Sequence, residues 1–168
     1  MKNKFIYSKE KFSEVNPKYL EDLNIKGVIL DLDNTIFKHN QLKFEDEFES
    51  KFKELKKYFD VVILSNRINL KKKKNYHKTY DLLRTPIIKS DLPKPFFDGF
   101  NKAIKKLNLD KENVIIIGDR FGTDILGGLL FGINTMLVKP VSKKEPIIIR
   151  VIRKLEMIPA KILSIIKS

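Results

Sequence analysis

The chain of 168 residues has no cysteine, so neither disulfides nor thiolate-held metals can be part of it. No stretch approaches the roughly 20 apolar residues of a membrane-spanning helix. The basic start, Met1-Lys2-Asn3-Lys4-Phe5, lacks the apolar run of a signal peptide. No long low-complexity region suggests general disorder. Arginine is scarce, confined to positions 67, 84, 120, 150 and 153, so the formal net charge of +13 comes mostly from lysine. Lysine, isoleucine and asparagine are abundant together, which reads as a bias acting on every position more than as a selected basic surface. Such charge favours anionic partners (nucleic acid, phospholipid headgroups, phosphorylated metabolites) without choosing among them. A hydrophobic fraction of 42% is enough for a core, and the length suits one domain with a modest extension. The expectation is an intracellular protein, cytoplasmic or organellar, soluble or peripheral at a membrane surface.

Helix-like and strand-like patterns alternate. Val28–Leu32 is a short apolar run that ends in two aspartates, Asp31 and Asp33. Phe44, Phe48, Phe52 and Leu55 recur at helical spacing. Val61–Leu64 is a second buried strand closed by Ser65-Asn66, and Ile87-Ile88 is a candidate third. A helix is expected from near Pro95, with Phe96, Phe100, Ala103, Ile104 and Leu107 inward. Val114–Ile117 is the next strand, ending in Gly118-Asp119. Thr123-Asp124 can cap a short helix that stops at Gly132, and Asn134–Val138 is the last strand. The alternation predicts an α/β fold, a Rossmann-like three-layer sandwich with a mostly parallel sheet. Residues 1–140 form the core in this reading. Residues 141–168 form a basic amphipathic helical tail, with Ile148, Val151, Ile152, Leu155 and Ile158 on one face and Arg150, Arg153 and Lys154 on the other. Pro159 is expected to break or kink that helix.

Polar groups therefore collect at one rim of the sheet: Asp31 and Asp33, Ser65, Asp119, and, from the loops, Lys94 and Asp124. Each type suits phosphoryl transfer. A carboxylate can attack phosphorus, and a second one can protonate the leaving oxygen and then activate water. An oxygen cluster can hold Mg²⁺, while a hydroxyl and an ammonium grip phosphoryl oxygens.

The motifs Asp31-Leu32-Asp33-Asn34-Thr35, Leu64-Ser65-Asn66, Lys94-Pro95 and Gly118-Asp119-Arg120-Phe121-Gly122-Thr123-Asp124 stand in order over roughly residues 20–140. In this the chain resembles the haloacid dehalogenase (HAD) superfamily of aspartate-nucleophile phosphatases. The resemblance implies Asp31 as nucleophile and Asp33 as general acid/base. It implies Ser65, Asn66 and Lys94 as substrate-binding residues. Mg²⁺ would be held by Asp31, Asp119 and Asp124, with the Asp33 backbone carbonyl helping. Asp31 to Ser65 spans 34 positions and Ser65 to Lys94 spans 29, too few for the large cap domain of many relatives. Ile25-Lys26-Gly27, Leu64-Ser65-Asn66, Asp124-Ile125-Leu126-Gly127-Gly128 and the basic tail look like the YqeG-type branch, which includes phosphatidylglycerophosphate phosphatases. The implied substrate is an anionic phosphomonoester carried on lipid, met at a membrane surface. One departure is Arg67, where a polar uncharged residue is more usual.

Plainer readings stand beside these. Asp31 and Asp33 would also suit a strand-end turn, Asp124 a helix cap, and Lys89 could stand in for Lys94. Arg67 and Arg120 could grip a second phosphate or be solvated. Lys71–Lys74 suits a solvated helix face or loop, and His39 and His77 lack partners at metal-ligand spacing. The tail could dock on the sheet or lie in a membrane interface. A soluble sugar phosphate, a nucleic-acid end, or a basic ribosome- or RNA-associated module with a vestigial site are the rival functions. Oligomeric state is open.

Overall fold

The computed structural model describes residues 4–38, 41, 43–66, 73–142 and 147–166. Five strands, β1 (Phe5–Lys11), β2 (Gly27–Leu30), β3 (Asp60–Ile63), β4 (Val114–Gly118) and β5 (Asn134–Lys139), form one sheet in the order β1-β5-β4-β2-β3. Every neighbouring pair is parallel, with Leu30 opposite Ile63 on one side and Ile117 on the other. Ile87 bridges to Ile63 at the β3 edge, so the expected third strand is a single bridging residue. Parallel strands need crossovers, and these carry α1 (Pro17–Asp22), α2 (Asp46–Tyr58), α3 (Lys73–Leu83), α4 (Phe97–Leu107) and α5 (Leu126–Phe131). A last helix, α6, spans Ile147–Ile166.

The period-2 alternation of the strands divides the core in two. Val28, Leu30, Ile115 and Ile117 face one side, where Phe48, Phe52 and Leu55 of α2 meet them. Ile29, Val114 and Ile116 face the other, against Phe100, Ala103 and Leu107 of α4 and Phe131 of α5. Helices cover both faces, as the alternation of patterns predicts. Between Asp31 and Ser65 the chain holds α2 and β3, and between Ser65 and Lys94 it holds α3; no cap domain occurs among the described residues.

Topology sets the position of the site. After β2 the chain passes to β3 on one side, and then returns to β4 on the other side of β2. The crossovers thus diverge between β2 and β4, opening a crevice at their carboxyl ends where open α/β sheets bind ligands.

Several expectations need adjusting. The helix near Pro95 begins at Phe97, with Phe96 at its cap and 57% exposed, because Pro93–Phe96 form a separate turn. The segment from Phe121 opens with a π-helical turn, so Thr123 and Asp124 do not cap α5. α6 runs on through Pro159, which lies on the exposed side, where water can satisfy the carbonyl that the missing N–H leaves open. Val151, Ile152, Leu155, Ile158 and Ile162 are exposed, while Met157 and Ala160 pack with Phe5, Phe121, Ile125 and Leu137, and Glu156 turns to Arg120. The tail thus docks on the core by a narrow strip and leaves its broad apolar face outward. Arg67, His39 and Lys71–Lys72 lie outside the described residues.

Candidate active site

Asp31 follows β2 directly, and its amide continues the ladder by donating to the Ile117 carbonyl at 3.0 Å. Its carboxylate is thereby fixed at the strand end. Asp119 follows β4 in the same way. Past it, the π-helical turn Phe121–Ile125 has the amides of Asp124 and Ile125 both donating to the Arg120 carbonyl, at 3.0 and 3.4 Å. Such turns widen a helix by one residue and often re-aim a side chain at a functional site. Here the turn folds Asp124 back over the strand. A Cβ on Gly118 would lie 2.4 Å from Asp124 Cγ and Oδ2, so only glycine leaves room for that carboxylate.

The outcome is three buried carboxylates, Asp31, Asp119 and Asp124, each offering an oxygen within 4.8 Å of the others. Lys94, itself buried, enters from the loop before α4. Its Nζ stands 2.6 Å from Asp31 Oδ1 and 2.5 Å from Asp124 Oδ1. The Asn66 side chain holds the backbone of that lysine: the Lys94 amide donates to Asn66 Oδ1 at 2.6 Å, and Asn66 Nδ2 donates to the Lys94 carbonyl at 3.0 Å. Lys89, the alternative in the sequence, instead stands over the Tyr76 ring.

The Thr35 hydroxyl lies between two of the carboxylates, 3.4 Å from Asp31 Oδ2 and 3.2 Å from Asp119 Oδ1. Asn34 adopts the left-handed conformation (φ 62°), which asparagine tolerates better than most residues. Its side chain ties the β2 loop to the chain after β5, accepting from the Ser142 amide at 2.8 Å and donating to the Ser142 carbonyl at 2.9 Å. Both residues stand inside the quoted motif, yet nothing in their type or spacing reveals these roles. Asp33 and Ser65 are half-buried at the same rim, and Asp33 is outside the three-carboxylate cluster. His77 is exposed.

The electrostatics of this cluster favour a positive charge among the carboxylates. Burial pushes the Asp31 carboxyl up, opposed by Lys94 and reinforced by Asp124 and Asp119, to about 8. The two carboxylates beside Lys94 outweigh its burial and hold its ammonium firmly charged. One ammonium faces three carboxylates. Asp124 Oδ1 is fully buried, and the Lys94 ammonium is the partner described for it. Three buried carboxylates around a single ammonium form an all-oxygen donor set that fits a hard divalent cation such as Mg²⁺.

Residues 7–142 match the family described as mitochondrial PGP phosphatase. The chain belongs to that family. It is 34% identical over 154 residues to the protein named probable phosphatase YqeG of Bacillus subtilis, covering 91% of this chain and 85% of that one. It is 28% identical over 146 residues to phosphatidylglycerophosphate phosphatase 1, chloroplastic/mitochondrial, of Arabidopsis thaliana, where it covers 82% of this chain but 41% of the plant protein. Among solved structures, magnesium-bound YfnB of Bacillus subtilis, named a HAD-hydrolase, superposes with a TM-score of 0.52 over 73% of this chain and 90% of that one, at 16% identity. An uncharacterized protein from Listeria monocytogenes gives 0.51 over 73% and 85%, at 20% identity. These two show the fold. The PGP phosphatase family member described here is therefore a phosphatase of the YqeG kind, as its motifs lead one to expect.

Proposed function

We propose that the protein is a Mg²⁺-dependent phosphomonoesterase that works through an aspartyl-phosphate and takes phosphatidylglycerophosphate to phosphatidylglycerol. The observation that carries this reading is the cluster of Asp31, Asp119 and Asp124 around Lys94 at the switch point of the sheet. In the proposed first step an Asp31 carboxylate oxygen bonds to phosphorus as the bond to the leaving oxygen breaks, and Asp33 gives that oxygen a proton. In the second, Asp33 takes a proton from water, whose oxygen attacks the same phosphorus and releases phosphate, restoring Asp31. Lys94 and Ser65 hold the phosphoryl oxygens, and Asn66 keeps Lys94 in place. Bound Mg²⁺, held by Asp31, Asp119, Asp124 and the Asp33 carbonyl, would offset the negative charge of phosphate against the carboxylates.

A lipid-borne substrate is supported by what surrounds the site. Phe96 and Phe97 follow Lys94 within three residues and are exposed, as are Leu126 and Leu130 on α5. Leu129 of α5 and Met157 of α6 pack on the same small core, and α6 carries a further exposed apolar stripe. No described helix is long and apolar enough to cross a membrane. An apolar rim around an open site suits a peripheral enzyme that meets its substrate in the bilayer surface.

The test is phosphate release, with and without Mg²⁺, from phosphatidylglycerophosphate in anionic vesicles, p-nitrophenyl phosphate, a sugar phosphate and a 3′-phosphorylated oligonucleotide. Vesicle activity that exceeds the others and disappears on chelation is the expected result. The double variant Leu155→Asp/Ile162→Asp should lose about tenfold or more on vesicles and nothing on p-nitrophenyl phosphate. Equal loss on both, or preference for a soluble ester, would remove the lipid assignment.

Proton competition gives a second test. An acid whose folded pKa lies above its unfolded value contributes stability in full below the unfolded pKa, here 3.8, and loses it as pH rises through the folded one, here about 8. Metal-free protein should therefore lose this contribution from Asp31 across that window. Mg²⁺ binding must expel the same proton. The rise in Tm on adding Mg²⁺ should accordingly grow between about pH 5 and about pH 8. A rise that is flat with pH would show that Asp31 is already ionised throughout.

A further inference from the structure

We infer that Glu156, on the C-terminal helix, is a positioning residue that sets the geometry of Asp124 and so the affinity of the cation site. The inference rests on the metal reading of the three-carboxylate cluster, but it concerns a residue some 30 positions beyond the nearest of those carboxylates.

Asp124 is held at both ends by the backbone of one residue, Arg120. The Arg120 amide donates to Asp124 Oδ2 at 3.1 Å, and the Arg120 carbonyl accepts from the Asp124 amide at 3.0 Å. Wherever the Arg120 backbone sits, the Asp124 carboxylate follows. The side chain of Arg120 points away from the cluster, toward α6, where Glu156 receives it with both oxygens: Nε donates to Oε2 at 3.1 Å and Nη2 to Oε1 at 2.8 Å. The pair is largely shielded from water, with 24% and 15% of the two side chains exposed. A two-point arginine–carboxylate contact fixes direction as well as distance.

A second observation involves Glu156 with the same turn. A Cβ on Gly122 would lie 2.7 Å from Glu156 Oε1. Even a methyl at 122 would require the Glu156 carboxylate to shift. Thus Glu156 lies against the π-helical turn at its cap, Arg120, and at Gly122 within it. The partner described for the Arg120 side chain is Glu156.

The role has consequences that simple packing would not have. Partners that orient metal ligands typically set affinity by about 10- to 100-fold when removed. Glu156→Ala should therefore weaken Mn²⁺ binding, read from the loss of the free-ion EPR signal on titrating the full chain, by roughly 10- to 100-fold. Glu156→Gln keeps the volume and one acceptor, and should fall between. Gly122→Ala should shift the affinity in the same direction by a smaller factor, and adding it to Glu156→Ala should change little further. In turnover of p-nitrophenyl phosphate, the Mg²⁺ needed for half-activity should rise in parallel while the substrate KM at saturating Mg²⁺ stays at the wild-type value. Should Glu156→Ala not fold, the Glu156→Gln and Gly122→Ala titrations decide alone. Unchanged Mn²⁺ affinity in folded Glu156→Gln and Gly122→Ala, or a rise in substrate KM in place of the metal shift, would overturn the role. Wild-type protein that binds no Mn²⁺ would overturn it together with the metal reading, a failure distinct from the first.

Discussion

Asp31→Asn should abolish phosphate release, by on the order of 10⁴-fold or more, and should yield a protein that melts no lower than the wild type without metal. The two halves come from the same geometry. Asparagine cannot form the acyl phosphate, so both proposed steps fail together. It also removes a carboxyl that burial and its neighbours keep protonated up to about pH 8, and it leaves Lys94 its other partner, Asp124, at 2.5 Å. Burial and the two neighbouring carboxylates disfavour the charge on Asp31, so its removal relieves the metal-free fold. Mg²⁺ should then stabilise the variant less than the wild type. Thermal melts with and without Mg²⁺ beside a phosphate-release assay would decide it. Full activity would end the nucleophile assignment, and a collapsed melt would show that Asp31 is structural.

Lys94→Met should act in the opposite sense on stability. Removing one member of a buried ion pair costs about 3–5 kcal/mol, because the charge left behind is neither solvated nor paired. Here the loss would leave three carboxylates within 4.8 Å of each other with no cation in their midst. For a chain of this size that corresponds to a fall in Tm of roughly 6–20 °C. The fall should be smaller in acid, where one carboxylate takes up a proton, and Mg²⁺ should restore much of it. Turnover should drop by about 10²- to 10³-fold at saturating Mg²⁺, as for loss of one group that stabilises developing charge. A Lys94→Met protein with wild-type Tm and no gain from Mg²⁺ would contradict the cluster as described.

The sequence discloses the parts of this site more fully than their arrangement. The strands β2, β3 and β4 are buried along nearly all their length and read as apolar runs, and β5 carries Met136–Val138, so they are recognisable from composition alone. The strand β1 is not. It lies at the sheet edge, only Phe5 of its described side chains is buried, and its lysines make it look like a basic leader. The helix α3 is lysine-rich at its start and polar through most of its length, so its short buried face is easily read as loop. The tail misleads in another way. Its apolar stripe is the obvious candidate for docking, yet the core presents Arg120 and the bare backbone of Gly122 at that place, and a glutamate, a methionine and an alanine fit there better than isoleucines. For the site itself, residue type and order point to Asp31, Asp119, Asp124 and Lys94. The grip of Asn66 on Lys94 and of Glu156 on Arg120 depends on how loops far apart in sequence meet, which no local pattern encodes.

The order of the strands bears on how the protein is made. β1 is the first of these strands to leave the ribosome, and its sole neighbour is β5, with Phe5 opposite Thr135. Pairing therefore waits until about 130 further residues have been synthesised, and closing so long a loop slows the step. Folding of the nascent chain must start from β2, β3 and β4, with β1 held in reserve and open to wrong partners in the meantime. Ala160 of α6, later still, packs into the same small core as Phe5. The first and last parts of the chain are thus set in place together, in the closing stage of folding.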